Sequence, residues 1–198
     1  MRTAGLIILI FLLLFGCKNK TPLEKYEELV ARELASNKKN DSIFWGIRFG
    51  MTQKQFFNHC WEMNKKGIIT DGTDGKGNMY ILYKLKNELP YVASMNFYPK
   101  FNDSTITGMK ALYHYDGWVP WNKSLSADSL LPNIVRLYKK TYNDGNAFIE
   151  MNDKKKGPLF AKVDGNRRIV ITKEDDVQVK VEFTDLLMEH KTKKQDAN

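Results

Sequence analysis

The chain has 198 residues, 42% of them hydrophobic, which allows one or two compact domains and is ample for a core. Its 31 basic and 23 acidic residues give a formal charge of +8, but the lysines are dispersed or sit in loop-like stretches (Lys38-Lys39, Lys154-Lys155-Lys156, Lys191, Lys193, Lys194). That spread argues against a nucleic-acid interface and for a solvated surface with some attraction to anionic headgroups.

Arg2 and the apolar run Leu6 to Phe15 open the chain. Ten apolar residues fall far short of the roughly 20 that span a bilayer, so residues 1–16 read as a signal peptide rather than a transmembrane anchor. No A-x-A site closes it. The stretch Leu14-Phe15-Gly16-Cys17 instead resembles the lipobox of bacterial lipoproteins. This resemblance implies diacylglycerol on the Cys17 sulfur, cleavage before Cys17 and acylation of the new amino group, which together anchor the protein stably to a membrane. Cleavage there would leave 182 of the 198 residues and, with Arg2 gone, lower the charge from +8 to +7. Lys18 stands where an Asp would retain many lipoproteins at the inner membrane, and no acidic run follows that would signal surface display. The expected location is the bacterial envelope, at the outer membrane facing the periplasm. With Cys17 lipidated, only Cys60 remains, and no intramolecular disulfide can form.

Residues 17–42 carry the lipidated cysteine, a short helix and a linker. Thr21-Pro22-Leu23-Glu24 is a capping box with Pro at the first helical position, and Leu23, Tyr26, Val30 and Leu34 continue near helical spacing to about Ala35. Docking on the body and forming a stalk are both open for this helix. The stretch from Ser36 to Ser42 lacks apolar residues and reads as a loop.

Residues 43–122 form the first predicted unit. Thr52 and Gln55 make a second capping box, followed by Phe56, Phe57, Cys60, Trp61 and Met63 on one broad apolar face, with Trp61 expected in the core. Gly67 ends this helix, and the glycine-rich run 71–78 is a turn. Three strands follow at Met79 to Lys86, Tyr91 to Tyr98 and Thr105 to Tyr115, each apolar on one side, as an antiparallel sheet backed by helices requires.

Residues 123–185 repeat the order. The helix carries Leu130, Leu131, Ile134, Val135, Leu137 and Tyr138, with a start near Ser129 that keeps Pro132 in the first turn. A shift of 74 residues aligns Phe56, Cys60 and Met63 with Leu130, Ile134 and Leu137. Strands are expected at 146–151, 159–163, 167–172 and 177–183, with Asp164-Gly165-Asn166 as a hairpin turn. Residues 186–198 read as a basic polar tail. The predicted fold class is α+β: two tandem units, each a helix plus a three- or four-stranded antiparallel meander, after a lipoprotein signal peptide.

A helix opened by Gly50-Met51-Thr52-x-x-Gln55 and followed by a meander resembles the SmpA/OmlA outer-membrane lipoproteins. Two such units in tandem, over about residues 43–184, resemble the β-lactamase-inhibitor-protein fold. Phe56 and Lys66-Gly67 depart from the first pattern, which has an aliphatic residue and an L-G-x-P stop at those places. The resemblance implies a non-catalytic scaffold that binds through an aromatic-rich sheet or loop surface. The expected role is a non-enzymatic envelope lipoprotein, acting as a protein-binding or envelope-assembly module on another envelope protein. No cofactor, metal or nucleic acid is expected.

The candidate partner-binding residues are Tyr113, Tyr115, Trp118 and Trp121, in a stretch punctuated by Gly117 and Pro120. Aromatic anchors bury large area at low entropic cost, though the same rings could instead pack between the two units. The alternative function is an envelope hydrolase with a site near Cys60, His114 and Asp116. His59 and Cys60 point about 100° apart on a helix and cannot pair with each other, and the three histidines lack an i, i+4 partner for a metal. Asp71, Asp74 and Asn78 lack the EF-hand spacing for calcium.

Overall fold

The computed structural model describes residues 20–73, 79–154 and 157–195. Residues 1–19, which include the expected signal peptide and Cys17, most of the glycine-rich stretch 71–78, Lys155, Lys156 and residues 196–198 lie outside the described residues.

Local chemistry sets where the first two helices begin. Helix α1 (Pro22–Ala35) opens on Thr21, whose Oγ1 accepts from the Glu24 amide at 3.2 Å while the Glu24 carboxylate accepts from the Thr21 amide at 2.7 Å. Helix α2 (Gln53–Lys65) opens the same way on Thr52 and Gln55. Each box satisfies donors that a helix start leaves orphaned.

After α2 come β1 (Thr70–Thr73), β2 (Met79–Leu85), β3 (Ala93–Asn102) and β4 (Thr105–Tyr115). A 3₁₀ turn at Lys123–Leu125 leads into α3 (Ala127–Thr141). Then follow β5 (Ile149–Asp153), β6 (Gly157–Asp164), β7 (Arg167–Lys173), β8 (Val179–Asp185) and α4 (Leu186–Gln195). All strand pairings are antiparallel, in the order β1-β2-β3-β4-β8-β7-β6-β5. The two meanders are thus halves of one sheet, joined where Ala111 of β4 faces Val181 of β8.

Strand alternation sorts the side chains onto two faces. One carries Met95, Phe97, Met109, Ala111, Tyr113, Val181, Phe183, Ile169 and Ile171, all buried in a single core under α2 and α3. Helix α3 contributes Leu130, Ile134 and Tyr138 and crosses β4, β8 and β7. On the opposite face, Leu29 of α1 packs with Val163 and Leu186 over β5 and β6, so α1 docks on the body and is not a stalk. Helix α4 borders the same face, and a groove lies between it and β3.

A buried polar junction fastens α1 and its linker to the β6–β7 turn. Glu33 accepts from the Gly165 amide and from Asn146 Nδ2, both at 2.9 Å, which holds its carboxyl below the ordinary carboxylate value. Asn166 accepts from the Asn40 amide and donates to Asp41 and Asp185, while Arg167 donates to the Ser42 carbonyl at 2.9 Å. Lys162, 1% exposed, is paired with Asp164 at 2.9 Å and donates to the carbonyls of Asp144 and Asn146. Burying these charges is tolerable because each meets an opposite charge or a carbonyl.

Several sequence expectations are corrected. Trp61 is 62% and Phe57 47% exposed; only Phe56, Cys60 and Met63, one narrow i, i+4, i+7 stripe, enter the core from α2. Thr70–Thr73 is a strand because it pairs with β2, although no apolar alternation marks it. Asn146 belongs to the polar junction rather than to β5. Helix α3 starts at Ala127, two residues earlier than expected, so Pro132 lies inside it. Val177 and Gln178 form a turn in which both amides donate to Asp175 Oδ1. Residues 186–195 are helical, with Leu186 buried against α1.

Candidate functional site

The stretch from Tyr113 to Trp121 divides at the end of β4. Tyr113 and Tyr115 point to the core face and are 4% and 1% exposed. The Tyr113 and Tyr138 hydroxyls share a hydrogen bond of 2.8 Å, and Tyr115 accepts from Asn133 at 3.1 Å. These two tyrosines are core residues and offer almost no surface to a protein partner, because alternation along β4 turns them under the helices. Beyond the strand the chain turns at Gly117 (φ 71°), Trp118 is half-buried, and the Asn122 amide closes onto the Val119 carbonyl at 3.0 Å. Trp121 emerges 82% exposed. The Asp116 amide donates to the Val92 carbonyl at 3.0 Å, which ties this loop to the β2–β3 connection carrying exposed Tyr91 and Val92. This end of the sheet is therefore apolar and accessible.

The hydrolase trio is not assembled. Cys60 lies in the core beneath the sheet, where burial pushes its thiol up to about 11, far from a nucleophile's range. His114, between two core tyrosines on β4, points to the opposite face. Desolvation holds its imidazole below the usual value, against the opposing pull of Asp116. Asp116 is itself engaged by Lys84 at 2.8 Å and Ser94 at 2.7 Å; burial raises its carboxyl, and these bonds outweigh it, leaving it below the ordinary value. His59 is spent on the Trp45 carbonyl, at 2.7 Å.

Two hollows lie away from the loop. A broad groove of about 840 Å³ occupies the open sheet face between β3 and α4. Its floor is Gly108, where a Cβ would stand 3.0 Å from the Phe183 carbonyl oxygen. Tyr98, Lys100 and Glu182 form its sides, and Arg168 is pinned at the rim by Glu189 at 3.2 Å. A smaller cleft of about 210 Å³ opens on the helix-bearing face among Trp45, Tyr83, Glu88, Tyr138, Thr141 and Tyr142. Both are assembled from distant segments, so no local motif marks them.

Among the described residues, no group of three or more His, Cys, Asp and Glu could hold a metal ion, and no helix is long and apolar enough to cross a membrane. Comparisons of the chain with protein-family models, with curated proteins and with solved structures find no match.

Proposed function

We propose that this chain is a non-enzymatic lipoprotein of the bacterial envelope, anchored through Cys17 and binding another envelope protein through the exposed end that carries Trp121. The observation that carries this reading is Trp121 itself, an indole 82% exposed on a hydrogen-bonded turn. Leaving so large an apolar side chain in water forgoes burial free energy, and tryptophan is the residue most enriched at interface hot spots. The anchor rests on the lipobox-like LFGC. Only three residues separate Cys17 from the Thr21 cap, a span of at most about 14 Å of chain, so an acyl anchor would hold the docked α1, and with it the sheet, close to the membrane.

The two halves are tandem units in this proposal. The register of α2 and α3 supports it, since the 74-residue shift carries buried Phe56 and Cys60 onto buried Leu130 and Ile134. So does the sheet order, which runs outward from the β4–β8 seam through each meander in turn.

A photo-crosslinking amino acid at position 121, in the full-length protein in intact cells, should give one discrete protein adduct. Trp121→Ala should weaken capture of that partner by about 2 kcal/mol or more, with unchanged circular dichroism. No adduct, or a smear of unrelated products, would refute the binding role. The anchor is tested apart from it: a fatty-acid analogue should label the wild type and not Cys17→Ala, and Cys17→Ala should leave the membrane fraction.

A further inference from the structure

We propose that the cleft beside Trp45 is a binding site for a small organic cation of the alkylammonium class, free in solution. This inference depends neither on the lipid anchor nor on Trp121. The cleft lies on the opposite face of the sheet from α1, and its walls are ring systems: Trp45 and Tyr83, whose centroids are 4.5 Å apart, and Tyr138 stacked on Tyr142 at 5.3 Å. Phe44, Leu85, Met95, Tyr113 and Leu137 complete the apolar surface. The acidic group lining it is Glu88, whose Oε1 accepts from the Tyr83 hydroxyl at 2.6 Å.

Charge and shape select the ligand class. Aromatic faces present negative quadrupole density, and a cation held over several of them beside a carboxylate is stabilised twice, which is the logic of cages for quaternary ammonium groups. An anion would meet Glu88 with no cation in the lining; Arg167 sits against the Tyr142 ring, 5.0 Å from its centroid, and is not among the lining residues. Calcium or magnesium wants six or more oxygen ligands, which one carboxylate and the Thr141 hydroxyl do not approach, and the lining holds no histidine or cysteine for zinc. A neutral apolar guest would dehydrate Glu88 and return nothing for it. The volume, about 210 Å³, is that of a cleft for a small ligand, and choline is a small member of the class.

The backbone is arranged for this wall at a cost. Trp45 has φ 50°, a left-handed conformation that side chains other than glycine rarely adopt. Gly46 follows at φ 80°, and two hydrogen bonds clamp the turn: His59 Nε2 with the Trp45 carbonyl at 2.7 Å, and the Ile47 amide to the Phe44 carbonyl at 2.9 Å. The strain is spent on holding an indole 40% exposed over Tyr83, where burial alone would have drawn it inward. Tyr83 stays a neutral donor, because burial and Glu88 push its hydroxyl up to about 12.

The test is calorimetric titration of the full-length protein, held in phosphatidylglycerol nanodiscs, with choline chloride against sodium chloride of equal ionic strength. The neutral carbon isostere 3,3-dimethyl-1-butanol serves as the comparison. Saturable choline binding is expected, with the isostere weaker by about tenfold or more. Glu88→Gln and Tyr83→Ala should each lower choline affinity by about tenfold while leaving the thermal transition cooperative. Glu88 is exposed, so its substitution keeps the test valid even where the tyrosine variant fails to fold. Equal binding of the isostere, or no saturable binding of choline, overturns the proposal. Binding seen only in nanodiscs that contain phosphatidylcholine overturns the free ion as ligand and reassigns the site to a lipid headgroup.

Discussion

Helix α2 offers a sharp test of which aromatic side chains hold the fold. Phe56 is fully buried, packed edge-on against Phe57 at 5.4 Å and Phe101 at 6.0 Å. A buried aromatic ring withdraws about 150–250 Å² from water, worth roughly 4–6 kcal/mol at ~25 cal/mol per Å². Truncation to Ala keeps the Cβ, so Phe56→Ala should cost about 3–5 kcal/mol. Trp61, five residues on, is 62% exposed, and its ring carries the Lys65 ammonium 5.5 Å from its centroid. Such an exposed cation–π pair contributes about 0.5–1 kcal/mol, and alanine's higher helix propensity returns about half a kcal/mol. Trp61→Ala should therefore change stability by less than about 1 kcal/mol. Urea unfolding followed by far-ultraviolet circular dichroism resolves the two. The melting temperature should fall by about 6–20 °C for Phe56→Ala and by under about 4 °C for Trp61→Ala. A larger loss at Trp61 than at Phe56 would show that α2 docks on its other face.

Three further outcomes follow from the same contacts. Glu33 has its folded carboxyl lowered, first by the Gly165 amide, so its stabilisation is present above the ordinary value of 4.5 and is lost as pH falls through the depressed one. The stability gap between wild type and Glu33→Gln should thus be full near about pH 7 and close in acid; a gap that stays constant on acidification would refute the assignment. Gly165 has φ 58°, and a Cβ there would overlap the Lys38 carbonyl oxygen, so Gly165→Ala should cost roughly 2 kcal/mol or more and speed amide exchange in α1. Unchanged α1 exchange would mean the junction does not hold the helix. Cys60, buried with its thiol pushed up to about 11, should resist iodoacetamide in the folded protein and react once urea unfolds it; rapid labelling of the native state would contradict its core position.

What the sequence determined by itself was local. Thr21 and Thr52 mark the starts of α1 and α2 because a capping box closes within four residues. The alternation of Met79 to Leu85 and of Val179 to Phe183 marks β2 and β8 because side-chain direction in a strand reverses at every step. Asp164-Gly165-Asn166 marks the β6–β7 hairpin because its geometry needs glycine. The tertiary structure decided everything that depends on what a face meets. Apolar residues spread widely around α2, and only docking on the sheet chose Phe56 over Trp61. Tyr113 and Tyr115 look like surface aromatics when counted with Trp118 and Trp121, yet β4 turns them into the core and leaves Trp121 in water. β1 exists through its pairing with β2, and the two meanders became one sheet through β4 and β8, whose paired residues lie some 70 positions apart. The aromatic cleft draws on positions 44–45, 83–88, 95, 113 and 137–142. Contacts between segments that far apart depend on the whole chain's packing, and no window of sequence short enough to show a periodicity contains them.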